Sequence, residues 1–345
     1  MADEGKTIAI AGAGSIGCYV GGCLALAGRR VVLLGRARIV DTLRRDGLRV
    51  SDLDGRDRRI GPAALAATDD PAAALGNVDI ILVTVKSGAT DEMAASIAAH
   101  ARPDAVVLSL QNGVDNAEKL RARLLPGWRV LAGMVPFNIV QSPEGEAPFR
   151  VHRASDGKVM IGNEAPGLAG LLDVEGLGVE VRADMKAVLW SKLLMNLNNA
   201  LVALSGLPLA TELADRRWRF ILAGQIDEAL VAMKAAGIEP ARITALPASR
   251  LPKVLRLPNW LFGLLATRML AIDPEARSSM WDDLQRGRPT EIDELQGAVL
   301  NLAKQAGTSA PTVERVTALV RQAEAEKRGP PGLLPEAVSG GPRSA

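Results

Sequence analysis

The run Thr7-Ile-Ala-Ile-Ala-Gly12-Ala13-Gly14-Ser15-Ile16-Gly17 decides the reading of the first half of the chain. A short apolar stretch of strand length leads into Gly-x-Gly-x-x-Gly, and residues 15–27 beyond it have helical length and composition. Each glycine has a job in that order. Gly12 permits a tight turn, Gly14 lets backbone approach a pyrophosphate, and Gly17 lets the helix pack close to the strand. The helix N-terminus then offers free N–H groups and the positive end of its dipole to the anion. Residues 12–17 (Gly12, Ala13, Gly14, Ser15, Ile16, Gly17) are therefore expected to cradle a dinucleotide. The competing reading, a glycine turn that serves helix–strand packing alone, stays open.

Working outward, a second apolar run at 31–34 arrives where a second strand should. Sites for NAD usually end that strand with an acid that holds the ribose 2′-hydroxyl. Here Gly35-Arg36-Ala37-Arg38 follows. A guanidinium fork suits a 2′-phosphate, so NADP(H) is expected, with Arg36 as its reader. Solvated surface charge is the bland alternative for both arginines. Further strand-sized runs at 80–85 and 105–110 end in Lys86 and in Gln111-Asn112-Gly113. These positions lie at the strand ends where open parallel sheets bind ligands. Lys86 could neutralise cofactor phosphate, and Asn112 could offer donor and acceptor to a nicotinamide or substrate. A solvated lysine and an ordinary Asn-Gly turn remain the plain readings.

Helical stretches at 90–101 and 115–124 fill the gaps, which predicts a parallel sheet with helices on both faces, a Rossmann-type α/β domain. Residues 48–60, with Asp54-Gly55 near their middle, read as an inserted hairpin. Strand-like runs recur at 129–140, 149–153, 158–162 and 178–182. Beyond Asp184 the pattern turns helical, at 185–204, 211–236, 259–270, 277–285, 292–306 and 312–326. The expected organisation is residues 1–183 as the cofactor domain, 184–328 as an all-α substrate and catalytic domain, and 329–345 as a disordered tail rich in proline and glycine.

A length of 345 residues also favours two domains. With 41 basic and 39 acidic residues the formal charge is +2, which argues against a phosphate-backbone binder, and 3% aromatics leave few stacking platforms for nucleic acid. Two histidines, His100 and His152, disfavour zinc sites and Ser-His chemistry, so no metal is expected. Cys18 and Cys23 would lie about 7.5 Å apart on one helix, beyond easy bridging. The most apolar stretch is strand-sized and the acidic N-terminus lacks a secretory pattern, so no membrane partner and a cytoplasmic location are expected. A homodimer is left open.

In the second half, Trp190-Ser-Lys192-Leu-Leu-Met-Asn196-Leu-Asn198-Asn199 stands out. At 3.6 residues per turn Lys192, Asn196 and Asn199 share a face. The other positions are strongly apolar, so the helix should be buried, and a buried polar face needs partners or a ligand. Desolvation lowers a lysine pKa and makes Lys192 a usable general acid. A structural polar network between helices is the alternative. A second polar group lies at Ser278-Ser279 and Thr290-Glu291. Glu291 just before a helix expected at 292 could be a functional anion or a plain cap.

Together these motifs resemble the ketopantoate reductase (2-dehydropantoate 2-reductase) family, from residue 7 to about residue 320. The resemblance rests on Gly12-Ala13-Gly14-Ser15-Ile16-Gly17, Arg36, Val85-Lys86, Gln111-Asn112-Gly113, Trp190-x-Lys192-Leu-x-x-Asn196, Ser278-Ser279-Met280-x-x-Asp283 and Thr290-Glu291-Ile292-Asp293. It implies a Rossmann-type domain followed by a helical domain of the 6-phosphogluconate-dehydrogenase C-terminal type. It also implies reduction of a small branched 2-oxo acid by NADPH, 2-dehydropantoate to pantoate in pantothenate biosynthesis. Lys192 would be catalytic with Glu291, which would also touch the cofactor. Asn112 and Asn196 would meet cofactor and substrate, and Ser279 the substrate carboxylate. The family's frequent second and third asparagines meet Ala200 and Ala210 here, which leaves the keto acid open; Asn199 could substitute. The rivals are a related NADP-dependent 2-hydroxyacid dehydrogenase and a non-catalytic NADP(H)-binding regulator.

Overall fold

The structure is a computed structural model that describes residues 5–142, 149–265 and 276–340. It divides into two compact units, Met1–Met185 and Lys186–Ala345.

Among the described residues the first unit has twelve strands: β1 (Thr7–Ala11), β2 (Arg30–Leu34), β3 (Leu48–Asp52), β4 (Asp57–Ile60), β5 (Ala66–Thr68), β6 (Ile80–Val83), β7 (Val106–Ser109), β8 (Arg129–Met134), β9 (Ile139–Gln141), β10 (Phe149–Arg153), β11 (Val159–Gly162) and β12 (Val179–Arg182). Eight form one sheet in the order β12-β11-β8-β7-β6-β1-β2-β5. Its six strands from β8 to β5 run parallel, and the central β1, β6 and β7 are buried nearly throughout, while the edge strand β5 exposes Ala66. Ile8, Ile10, Ile80 and Leu82 feed one core, while Ala9, Ala11, Ile81 and Val83 feed the other, the alternation that a strand imposes.

The expected parallel sheet is present across these six strands, and β11 extends it by pairing with β8 antiparallel. The hairpin at 48–60 forms as β3 and β4. It joins β10 and β9 in a second, four-stranded sheet in the order β4-β3-β10-β9. The helix Ser15–Leu26 lies between the two sheets. A Cβ on Gly21 would stand 2.6 Å from Leu33 Cδ2 of the large sheet, and one on Gly22 would stand 2.6 Å from Val50 Cγ2 of the small one.

The second unit is helical. The long apolar stretch Met185–Ser205 reaches 21 residues at mean hydropathy 1.2, enough by length and composition to cross a membrane, but most of it is buried in the folded chain. The helix expected over 185–204 is present as Met185–Asn196 and Asn198–Ser205, with a one-residue break at Leu197, whose backbone angles stay helical. The helix expected over 211–236 also divides, into Leu209–Ala214 and Arg216–Ala235, because Asp215 caps the second with its own carboxylate. Of the helix expected at 259–270, Asn259–Leu265 is present and the remainder lies outside the described residues.

The expected disordered tail is contradicted for its described part. Residues Pro335–Ser339 form a short helix with Pro335 and Val338 buried. Arg315 donates to the carbonyls of Ala337 and Val338, both at 2.7 Å, and the Leu333 N–H donates to the Leu204 carbonyl at 2.8 Å. Composition alone hid two apolar anchors. Residues 341–345 of that tail lie outside the described residues.

Candidate active site

In the first unit the expected cofactor residues collect at the C-terminal ends of β1, β2, β6 and β7. Gly12 has φ +126°, and a Cβ there would stand 2.6 Å from the Val85 nitrogen, so only glycine fits. A Cβ on Gly17 would collide with the Gly12 carbonyl and stand 2.7 Å from Thr84 Oγ1. Both glycines are therefore needed by the fold itself. Gly14 differs, since a Cβ there would meet nothing within 4 Å. The protein's own packing leaves that space open, beside first-turn amides with no side-chain cap and no first-turn acid. Ala13 is buried, while Ser15 and Ile16 are half-buried. This cradle fits a pyrophosphate.

Arg36 caps the next helix, Ala37–Asp46, directly after β2, and its side chain is exposed with no partner among the described residues. Lys86 and Asn112 are exposed at the ends of β6 and β7. Beneath them lies a buried polar network whose role is not evident in the sequence. Gln111 donates to the Val85 carbonyl (3.1 Å) and the Thr90 hydroxyl (2.7 Å) and accepts from Ser109 (3.1 Å). Ser87 donates to the Asn112 carbonyl at 2.9 Å, and Asn116 donates to that carbonyl and to Ser87. The network fastens the two loops that carry Lys86 and Asn112 to each other. Thr84 is a further residue missed by sequence, because its hydroxyl donates to the Gly12 carbonyl at 2.7 Å.

In the second unit Lys192 is half-buried on the Met185–Asn196 helix, and burial pushes its pKa down from 10.5 to about 8. Asn196 and Asn199 are half-buried, and neither side-chain amide has a hydrogen-bond partner among the described residues. The Asn199 carbonyl accepts from Ser278 Oγ at 2.9 Å. Ser278 also accepts from the Trp281 N–H at 3.1 Å and caps the helix Ser279–Gln285, leaving Ser279 exposed in the first turn. Thus Ser279 sits one residue beyond the anchor that ties its helix to Asn199. Ala200 is fully buried and Ala210 half-buried.

The helix expected to start at 292 begins at Gln296. Glu291 therefore stands a full turn ahead of it and is half-buried, so the capping explanation is withdrawn. Its neighbour Thr290 accepts from the Ile292 N–H and so shapes the intervening turn. Gln296, fully buried, donates through Nε2 to the Leu197 carbonyl at 2.9 Å. That bond ties the Glu291 segment to the Lys192 helix at its break.

Two family profiles cover this chain. "Ketopantoate reductase PanE/ApbA" matches residues 8–166, and "Ketopantoate reductase PanE/ApbA C terminal" matches residues 184–324. The chain belongs to the ketopantoate reductase family. It is thereby an NADP-dependent oxidoreductase. A 2-dehydropantoate 2-reductase of Halobacterium salinarum is 29% identical over 92% of this chain and 98% of its own. A ketopantoate reductase of Ralstonia eutropha JMP134 superposes with TM-score 0.77 at 29% identity, covering 93% of this chain and 99% of its own. A D-mandelate dehydrogenase solved with NADH and anilino(oxo)acetate shares the fold, with TM-score 0.75, 23% identity and coverage of 93% and 99%.

Proposed function

We propose that the protein reduces a small branched 2-oxo acid with NADPH, with 2-dehydropantoate as the first candidate. The observation that carries this reading is Lys192, an amine brought to about 8 by burial, on the same helix as an unpartnered Asn196 amide. An ammonium with that pKa is mostly protonated at neutral pH and gives up its proton readily. Lys192 would polarise the keto oxygen and protonate it as charge develops, at the oxygen rather than the carbon. Asn112, Asn196 and Asn199 would orient the carbonyl and hydroxyl side, and Ser279 would hold the carboxylate. Glu291 would set the position and charge of Lys192 and touch the cofactor. When bound, NADPH supplies the hydride. Arg36 and Lys86 would hold its phosphates over the Gly12–Gly17 turn, where the open space at Gly14 supports a pyrophosphate.

A second reading keeps the reductase and changes the acid. Ala200, fully buried, stands where the family often has asparagine, which favours a less polar 2-oxo acid. The test incubates the protein with NADPH and, separately, 2-dehydropantoate, 2-oxoisovalerate, pyruvate, oxaloacetate and dihydroxyacetone phosphate. The highest kcat/KM should fall on 2-dehydropantoate, with about 10- to 100-fold discrimination against 2-oxoisovalerate, the worth of one hydrogen bond or slightly more. Preference for 2-oxoisovalerate would select the second reading. Tight NADPH binding without oxidation by any carbonyl compound would favour a regulator.

A further inference from the structure

The core of the helical unit holds a carboxyl group with no cation beside it among the described residues. Glu212, on the helix Leu209–Ala214, is fully buried, and Asn198, first residue after the break at Leu197, is buried beside it. Asn198 Nδ2 donates to Glu212 Oε2 at 3.1 Å. The other two polar atoms of this pair, Asn198 Oδ1 and Glu212 Oε1, are buried and have no hydrogen-bond partner among the described residues. Both are acceptors if the glutamate is ionised, and buried orphan acceptors are costly. One proton on Oε1 removes both faults at once. The hydroxyl then donates to Oδ1 while Nδ2 donates to Oε2, which gives an acid–amide pair closed by two hydrogen bonds.

We propose that Glu212 is an uncharged carboxylic acid whose two-bonded pair with Asn198 positions the broken helix that carries Lys192, Asn196 and Asn199. The surroundings agree. Burial, with a smaller push from Asp215 and against the Asn198 hydrogen bond that lowers it, raises the Glu212 pKa from 4.5 to about 8. Asp215 is itself held ionised by its hydrogen bonds from Arg217. On the other side of the break Gln296 holds the Leu197 carbonyl, and Gln225 Oε1 accepts from the same Gln296 amide at 3.1 Å. Leu197 and Asn198 are thus pinned by different helices, and they lie between Asn196 and Asn199. Glu212 is a positioning residue that acts through Asn198. The positioning part of the inference rests on the reading that Asn196 and Asn199 hold the keto acid.

Glu212→Gln separates the alternatives, because a glutamine presents an N–H where the acid presents an O–H and keeps both bonds without a charge. Glu212→Met keeps the bulk and removes both. If the acid is neutral, Glu212→Gln should melt at or above the wild-type temperature. It should also lose that part of the wild type's decline in melting temperature as pH rises from about 5 to 8, the window in which the folded state alone keeps the proton. A carboxylic-acid carbonyl band in the wild-type infrared spectrum at pH 6, absent from Glu212→Gln, should accompany this. With 2-dehydropantoate, Glu212→Met should lose tenfold or more in kcat at unchanged NADPH affinity, and Glu212→Gln should stay within about twofold of wild type in kcat. The inference is overturned if Glu212→Gln is destabilised as much as Glu212→Met, if the infrared band is missing, or if Glu212→Met keeps full kcat. Should no 2-oxo acid be turned over, the proposed function fails on its own. The melting and infrared arms then still decide the pair, and faster amide exchange at residues 196–200 in Glu212→Met decides the positioning.

Discussion

Thr84 Oγ1 stands 2.7 Å from the carbonyl oxygen of Gly12 and donates to it, so the end of β6 holds the glycine turn at the end of β1. The backbone runs the same way, with the Thr84 N–H on the Ala11 carbonyl at 2.9 Å. Thr84→Val keeps the shape and removes the hydroxyl. The loss of one hydrogen bond, about 0.5–1.5 kcal/mol, should weaken NADPH binding roughly 2- to 10-fold. Fluorescence titration measures this, and an unchanged Kd would show that the turn holds itself.

Arg36 is exposed with no partner among the described residues, so its removal should leave the fold alone. Losing a charge-assisted contact to phosphate costs about 1.5–3 kcal/mol, so Arg36→Ala should raise KM for NADPH roughly 10- to 100-fold. NADH kinetics should barely change. Equal losses with both cofactors would count against a 2′-phosphate contact.

Lys192→Met retains the stem and removes the proton. A fall in kcat of about 10²- to 10⁴-fold is expected, the usual weight of a general acid, with NADPH affinity preserved. The wild-type rate should decline above pH about 8 as the ammonium deprotonates, and the residual activity of the variant should lack that limb. A variant keeping a third of wild-type kcat would make the lysine structural.

Lys192 also leaves a mark on stability. The unfolded chain keeps this proton up to the ordinary value of 10.5, whereas the folded one releases it near 8. Between those values the unfolded state holds more protons, so stability attributable to this group rises with pH. Urea midpoints of wild type and Lys192→Met across pH 8 to 10 should converge upward; parallel curves would show that the amine is not desolvated.

Ending the chain after Arg328 would remove the buried Pro335 and Val338 and the two bonds from Arg315. The burial and bonds are worth about 2–4 kcal/mol, which should lower Tm by roughly 5–10 °C. Calorimetry that finds no change would make the segment an ornament.

Local patterns carried much of this structure. The strand of alternating Ile and Ala, the glycine turn and the lysine face are each contained within a dozen residues, so period and spacing expose them. Long-range pairings left no such trace. The antiparallel match of β11 to β8 and the alliance of β10 with β3 depend on partners far apart in the chain. The Leu197 carbonyl is held by Gln296, 99 residues away, and nothing near Leu197 announces that bond. Glu212 reads as one more solvated helix carboxylate until its neighbours are known. The docked tail was masked by composition, because Pro335 and Val338 sit among prolines and glycines that usually mark loops.

The double-sided confinement of the Ser15–Leu26 helix sets how this protein can vary. Gly21 and Gly22 leave no room on either flank, and Gly12 and Gly17 leave none at its origin. In a saturation library those four positions should be frozen by folding alone, whatever cofactor is selected for. Gly14 has no such constraint and answers to the ligand. Selection under cofactor starvation and selection for expression should therefore return different mutational profiles within a single six-residue motif, and their difference would map the phosphate's footprint without a bound complex.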